Sequence, residues 1–189
     1  MKKLLYAFLF LCSLNTFSQD LASLKTEAQK AIELTAKMDF NGILDITYPK
    51  IFTMAPREKL LEILNQTFNG NPDFKIKMIP VAPNFNYGAI KKIEGHTFCV
   101  VKHNNAMEMT FTNKVDNPNV YIDALKTSMK ADDVTYSAEK NSISIKLIST
   151  MIAVADESTK NKWMFVNNDN DGNIFTALFN EKIKAELGL

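Results

Sequence analysis

Cysteine is nearly absent from this chain: Cys12 and Cys99 are the only two in 189 residues. Cys12 falls in a leading apolar run, so the sequence after that run carries one thiol and cannot close an intramolecular disulfide. Charge of one sign is lacking too. Lys and Arg number 22 against 21 Asp and Glu, with no basic block or stripe, which argues against nucleic acid as a partner. Only two histidines occur, His96 and His103, and they bracket one apolar run. At that separation in a regular strand they point to opposite faces and cannot share a metal ion without a bulge. Cys99 and His103 share a face but stand about 13 Å apart along the backbone. That geometry argues against a zinc site and a Cys–His nucleophile pair, and no motif calls for a cofactor.

What is present begins with a targeting pattern. A basic start, "MKK", precedes the apolar "LLYAFLFLCSL", and "NTFSQ" supplies the small or polar Thr16 and Ser18 before Gln19. The pattern predicts a secretory signal peptide over 1–18, too short for a typical membrane-spanning helix. Cys12 does not fit a lipid attachment site, because Leu11 stands where a small residue is wanted. The expected destination is the periplasm, the cell surface or the extracellular space. Losing Lys2 and Lys3 leaves 20 basic against 21 acidic residues. The span 19–189 is long enough for one domain with a real core and holds no further run able to cross a membrane. Without disulfides, burial must stabilise it.

Periodicity divides the remainder in two. Leu21, Leu24, Ala28, Ala31 and Leu34 recur at helical spacing after the capping residue Asp20. "MDFNGILDIT" predicts a second helix, capped by Asp39 and ended at Tyr48, because Pro49 biases its predecessor away from helical angles. Pro56 opens a third, with Leu60, Leu61, Leu64 and Phe68 as its stripe. From Phe74 the pattern alternates instead. Strands are predicted in "FKIKMIPV", "NYGAIKKIEG", "HTFCVVKHNNAMEMTF" (long, or a hairpin near "HNNA"), "SISIKLISTMIAVAD" and "KWMFVNN". A polar excursion at about 113–140 carries a short helix, and "NIFTALFNEKIKAEL" predicts a terminal helix. Helices first and strands in meander order predict an α+β domain, its helices on one face of an antiparallel sheet.

That order resembles the cystatin-like cone of the nuclear transport factor two and ketosteroid isomerase superfamily, in which helices pack on a curved antiparallel sheet. "YPKIFTMAPREKLLEIL" is more specific. It is similar to small exported bacterial proteins in which a Tyr-Pro-Lys hinge precedes a Lys-, Glu- and Leu-rich helix, and "WMFVNN" from Trp163 looks like their closing strand. The detailed match covers 45–64 and 162–167. Proteins of this fold act as enzymes, binding modules and assembly subunits alike.

Candidate sites follow from residue type. An isomerase, hydratase or lyase at the cone mouth would need a carboxylate and acid donors converging in a dry pocket. Asp45, Tyr48 and His96 are the candidates, with Asp39 nearby in sequence. Tyr48 and Tyr87 are the candidate ligand-binding residues, although Tyr48 also suits a structural hinge, its ring buried and its hydroxyl on a polar partner. "NNDNDGNI" offers Asn167, Asp169 and Asp171 as calcium ligands, but Leu178 replaces the bidentate Glu of the twelfth position, so a helix-capping turn is expected instead. The sequon at Asn65 lies on a predicted helix. The reading preferred is a non-catalytic binding module whose partner is an envelope protein or a small apolar ligand.

Overall fold

Fourteen consecutive residue pairs join two long strands into the spine of the fold, from Thr97 opposite Ala155 to Thr110 opposite Ser142. A computed structural model describes residues 20–168 and 173–189. The expected signal peptide at 1–18, with Cys12, and the calcium candidates Asp169 and Asp171 lie outside the described residues. The chain opens with α1 (Leu21–Ala36), α2 (Phe40–Asp45), a 3-10 turn (Pro49–Thr53) and α3 (Arg57–Asn69). Strands β1 (Phe74–Met78), β2 (Asn86–Tyr87), β3 (Lys91–Ile93) and β4 (His96–Phe111) follow. Helix α4 (Pro118–Met129) leads to β5 (Asp133–Ser137), β6 (Ser142–Ala155) and β7 (Met164–Asn167), and α5 (Asn173–Leu178) and α6 (Glu181–Leu187) close the chain. The architecture is α+β, with an open antiparallel sheet of seven strands.

Caps set the helix starts as expected. Asp20 accepts from the Ser23 N–H at 2.8 Å, and Asp39 from the Gly42 N–H at 3.0 Å. A larger residue at Gly42 would have to displace neighbours: a Cβ there would lie 2.5 Å from Leu34 Cδ2 and 2.7 Å from the capping carboxylate of Asp39. Strand β4 does not fold into a hairpin at "HNNA", because His103 to Ala106 each pair across to β6. The excursion holds more than a helix. Val134, Thr135 and Tyr136 form β5 on the edge of β6, a run of β-branched and aromatic residues that suits a strand. The terminal helix is two, since Asn180 restarts it by accepting from the Ile183 N–H at 3.0 Å.

Alternation gives the β4–β6 ribbon two faces. The front carries Cys99, Val101, Met151, Ala153 and Phe165 at its proximal end, packed under Leu24, Ala28 and Ala31 of α1. At its distal end the front carries Phe111, Ile143 and Ile145, packed under α4 through Ile122, Leu125 and Met129. The back carries Phe98, Ile152, Val154 and Val166 at the proximal end, under Phe175, Phe179 and Ile183. Helices therefore lie on both faces, not on one as the sequence pattern predicts. Beyond Val100 the back turns largely polar: Lys102, Glu108 and Thr110 on β4, and Thr150, Ile148, Lys146 and Ser144 on β6, are exposed or half-buried, while the small Ala106 and Ser142 among them are buried.

Candidate functional site

Titratable groups gather where the proximal back face ends. The β3–β4 hairpin turns through Glu94 and Gly95, at φ 51° and 83°, a primed two-residue turn that glycine makes accessible. It starts β4 at His96. Continuing the Thr97–Ala155 register by one residue sets His96 opposite Asp156. The "DITYPKIF" stretch supplies the third member. Its backbone runs along the outer edge of β7, with the Tyr48 N–H donating to Phe165 O and the Phe165 N–H to Ile46 O, each at 2.9 Å. Pro49 then starts the 3-10 turn and directs Lys50 toward His96.

The contacts around Asp156 are dense. Tyr48 Oη donates to Oδ2 at 2.6 Å, and His96 Nε2 lies 3.4 Å from the same oxygen. Ser158 Oγ and the Thr159 N–H donate to Oδ1 at 2.7 and 3.1 Å. His96 Nδ1 lies 2.9 Å from Glu94 O, which only accepts, so that nitrogen carries its proton. Nε2 meets the Asp156 carboxylate on one side and the Lys50 ammonium, at 3.5 Å, on the other. Burial pushes the Asp156 carboxyl up, but hydrogen bonds from Tyr48, Ser158 and Thr159 and the charge of His96 outweigh it and hold the group below its ordinary value. Burial first, then the bond to Asp156, push the Tyr48 phenol well above its ordinary value.

This cluster is tied into the fold by its own bonding. A carboxylate offers about four lone-pair sites; Tyr48, Ser158 and Thr159 occupy three of those of Asp156, and the His96 ring lies against Oδ2 at 3.4 Å. Tyr48 is fully buried, with Phe179 stacked on its ring at 5.5 Å. His96 lies between Phe98 at 5.6 Å and Phe179 at 5.5 Å. Aromatic packing from Phe98 and Phe179 lies against Tyr48 and His96.

The structure brings Tyr48 and His96 together, but around Asp156 and not Asp45. Asp45 ends α2 with its side chain 69% exposed and pairs with Arg57 at 2.8 Å. Asp39 is spent on its cap. Tyr87 lies on the front face beside Phe85, in the cluster of Cys99, so it and Tyr48 are separated by the sheet and cannot line one pocket. Burial raises the Tyr87 phenol and pushes the Cys99 thiol up to about 11, the state of an inert buried cysteine. Asn167 pairs with Met151 at the end of β7. His103 is buried on the front face, away from His96. Among the described residues no three His, Cys, Asp or Glu side chains could hold a metal ion. Sequence reasoning missed Asp156 and Lys50. The available signal for Asp156 was "DEST" after an apolar strand, a pattern in which the carboxylate caps its own turn.

A second feature lies on the distal back face. An open cleft of about 310 Å³ is lined by Lys77, Pro80, Glu108, Lys140 and Ser144. The sheet rows there read Lys75–Thr110–Ser142–Ser137 and Lys77–Glu108–Ser144–Thr135 across four strands. Ile148 stands beside them 57% exposed on a central strand. Comparison with family models, curated proteins and solved structures finds no match to this chain.

Proposed function

We propose that the protein is an exported, non-catalytic binding module that engages a protein partner through the distal back face of its sheet. One contrast carries the reading: the convergent Asp–Tyr–His group is consumed in packing, while half of one sheet face has no layer over it. A polar sheet face and a single exposed apolar residue are both ordinary in a monomer, so the reading rests on the extent of the bare, lysine-bearing face, with Ile148 as one apolar contact available on it. A small apolar ligand between sheet and helices is less well supported, because Phe98, Phe175 and Phe179 already fill the back layer and Trp163 and Phe165 the front. An isomerase, hydratase or lyase using Asp45, Tyr48 and His96 is likewise less well supported, because Asp45 pairs with Arg57 away from the other two and Asp156 already accepts three hydrogen bonds. We read the architecture as a variant of the cystatin-like cone, on the strength of three helical segments preceding the antiparallel sheet, with α1 packed against it.

The test is photo-crosslinking in the native cell envelope. A photoreactive residue at position 148 should form one discrete adduct, and the same residue at exposed Lys30 on α1 should not. Equal adducts from both positions, or none from 148, would overturn the assignment of this face.

A further inference from the structure

Resting on that reading, we infer that the partner presents an extended acidic segment, laid lengthwise on the back of β4 and β6. The chain as a whole is close to neutral, but this face is not. Lys75, Lys77, Lys102 and Lys146 point to it from β1, β4 and β6, with Lys140 at the cleft, against two acids, Glu108 and Asp133. Both acids are engaged: Glu108 accepts from Ser142 Oγ at 2.9 Å, and Asp133 pairs with Lys146 at 3.1 Å. The ion pairs among the described residues leave Lys75, Lys77 and Lys102 without an acidic partner.

Lysines on an edge strand have a structural use, since they discourage edge-to-edge pairing, and this accounts for Lys75 and Lys77 on β1. It does not account for Lys102, which stands on a strand paired on both sides. From Lys102 to the Lys77–Glu108 row the ribbon runs six residues, about 20 Å, the span of a short extended peptide. Acidic side chains at alternate positions of such a peptide would repeat at about 7 Å, matching the row spacing of the face. The hydroxyls of Thr110, Thr135 and Ser144 add donors along the same track, and Ile148 offers one apolar contact at its side. A bilayer would be held poorly here, because a membrane-binding face needs a continuous apolar stripe under its basic residues.

Fluorescence anisotropy with a labelled peptide of alternating Glu and Asp tests the inference, with its Gln and Asn counterpart as control. The acidic peptide should bind saturably at low salt, its affinity should fall with added salt, and the counterpart should not bind. Lys77→Glu with Lys102→Glu should weaken binding at least about tenfold, whereas Lys30→Glu should leave it unchanged. Lys77→Ala with Lys102→Ala, checked by thermal melting, should weaken it without placing new charge on the sheet. Tighter binding of vesicles rich in anionic phospholipid, or of a sulfated polysaccharide, would overturn the inference in favour of a different class of polyanion. Peptide binding indifferent to both double variants would overturn it as well. If no acidic peptide binds while position 148 still crosslinks, the acidic partner is wrong and the binding face stands. If the crosslink also fails, both are wrong.

Discussion

The two ends of the β4–β6 ribbon share one unbroken register yet are finished in different ways. At the proximal end both faces are covered, by α1 in front and by α5 and α6 behind, and a buried charge ties the layers together. Asp156 joins the end of β6 to Tyr48 beside β7 and to His96 at the start of β4. At the distal end only the front is covered, and a neutral side chain is the knot. Asn141, at φ 49° in the β5–β6 turn, donates to Phe111 O at 3.1 Å and Asn113 O at 2.8 Å, and accepts from the Val115 N–H at 3.2 Å and Tyr136 Oη at 3.0 Å. The difference follows from environment. A carboxylate shut between aromatic layers holds its partners strongly but must have all of them, because an unsatisfied buried charge is costly. An amide at a half-open edge can give up one bond to water, so a bare face beside it is tolerated.

Tyr48→Ala should have the largest effect, because it both empties a packed site and strips Asp156 of its shortest bond. A loss of about 3–5 kcal/mol in denaturant unfolding is expected. A stability unchanged from wild type would mean the proximal end is not locked through this residue. Asn141→Gly keeps the left-handed turn accessible and deletes only the side-chain bonds. At about 1 kcal/mol net for each of several bonds it should cost about 2–3 kcal/mol in the same measurement. Tyr48→Phe keeps the ring and removes a hydrogen bond to a charged group, so about 1.5–3 kcal/mol is expected. If it cost nothing, the proximal charge would not be tied to the fold as described.

Acid should separate the two knots. The folded-state value of Asp156 is depressed, so its contribution to stability is complete above the unfolded value of about 3.9 and is lost as pH falls through the folded one. Unfolding free energy should therefore drop below about pH 4. Asp156→Asn should flatten part of that decline, while Asn141→Gly should run parallel to wild type. The same slope in all three would break the distinction. Smallest of all, Ile148→Thr on the bare face should change stability by less than about 0.5 kcal/mol while weakening the adduct formed by a photoreactive residue placed instead at exposed position 146.

Helices were legible wherever a stripe coincided with a cap. Asp20, Asp39 and Pro56 start three helical segments, and Leu24, Ala28 and Ala31 face the core as their spacing predicts. Strands were legible where alternation ran long, as in β4 and β6. "DVTYS" was not, because five residues inside a polar excursion give too short a pattern, and its pairing with β6 is what makes it a strand. The candidate site was half legible. Tyr48 and His96 are unusual in sequence and do meet, but the carboxylate between them comes from 108 residues beyond Tyr48, and proximity in sequence favoured Asp45 instead.

Local chemistry by itself determined where the first three helical segments start, that β4 and β6 have an apolar and a mixed face, and that Cys99 has no disulfide partner after residue 18. These depend on neighbours within a few residues. Tertiary structure alone decided that the terminal helices cross to the back of the sheet, that Asp156 and not Asp45 receives the Tyr48 hydroxyl, and that the distal back face stays uncovered. Each of those depends on strand register and on which layer reaches how far along the ribbon. A register couples residues far apart in the chain, and no local pattern specifies it.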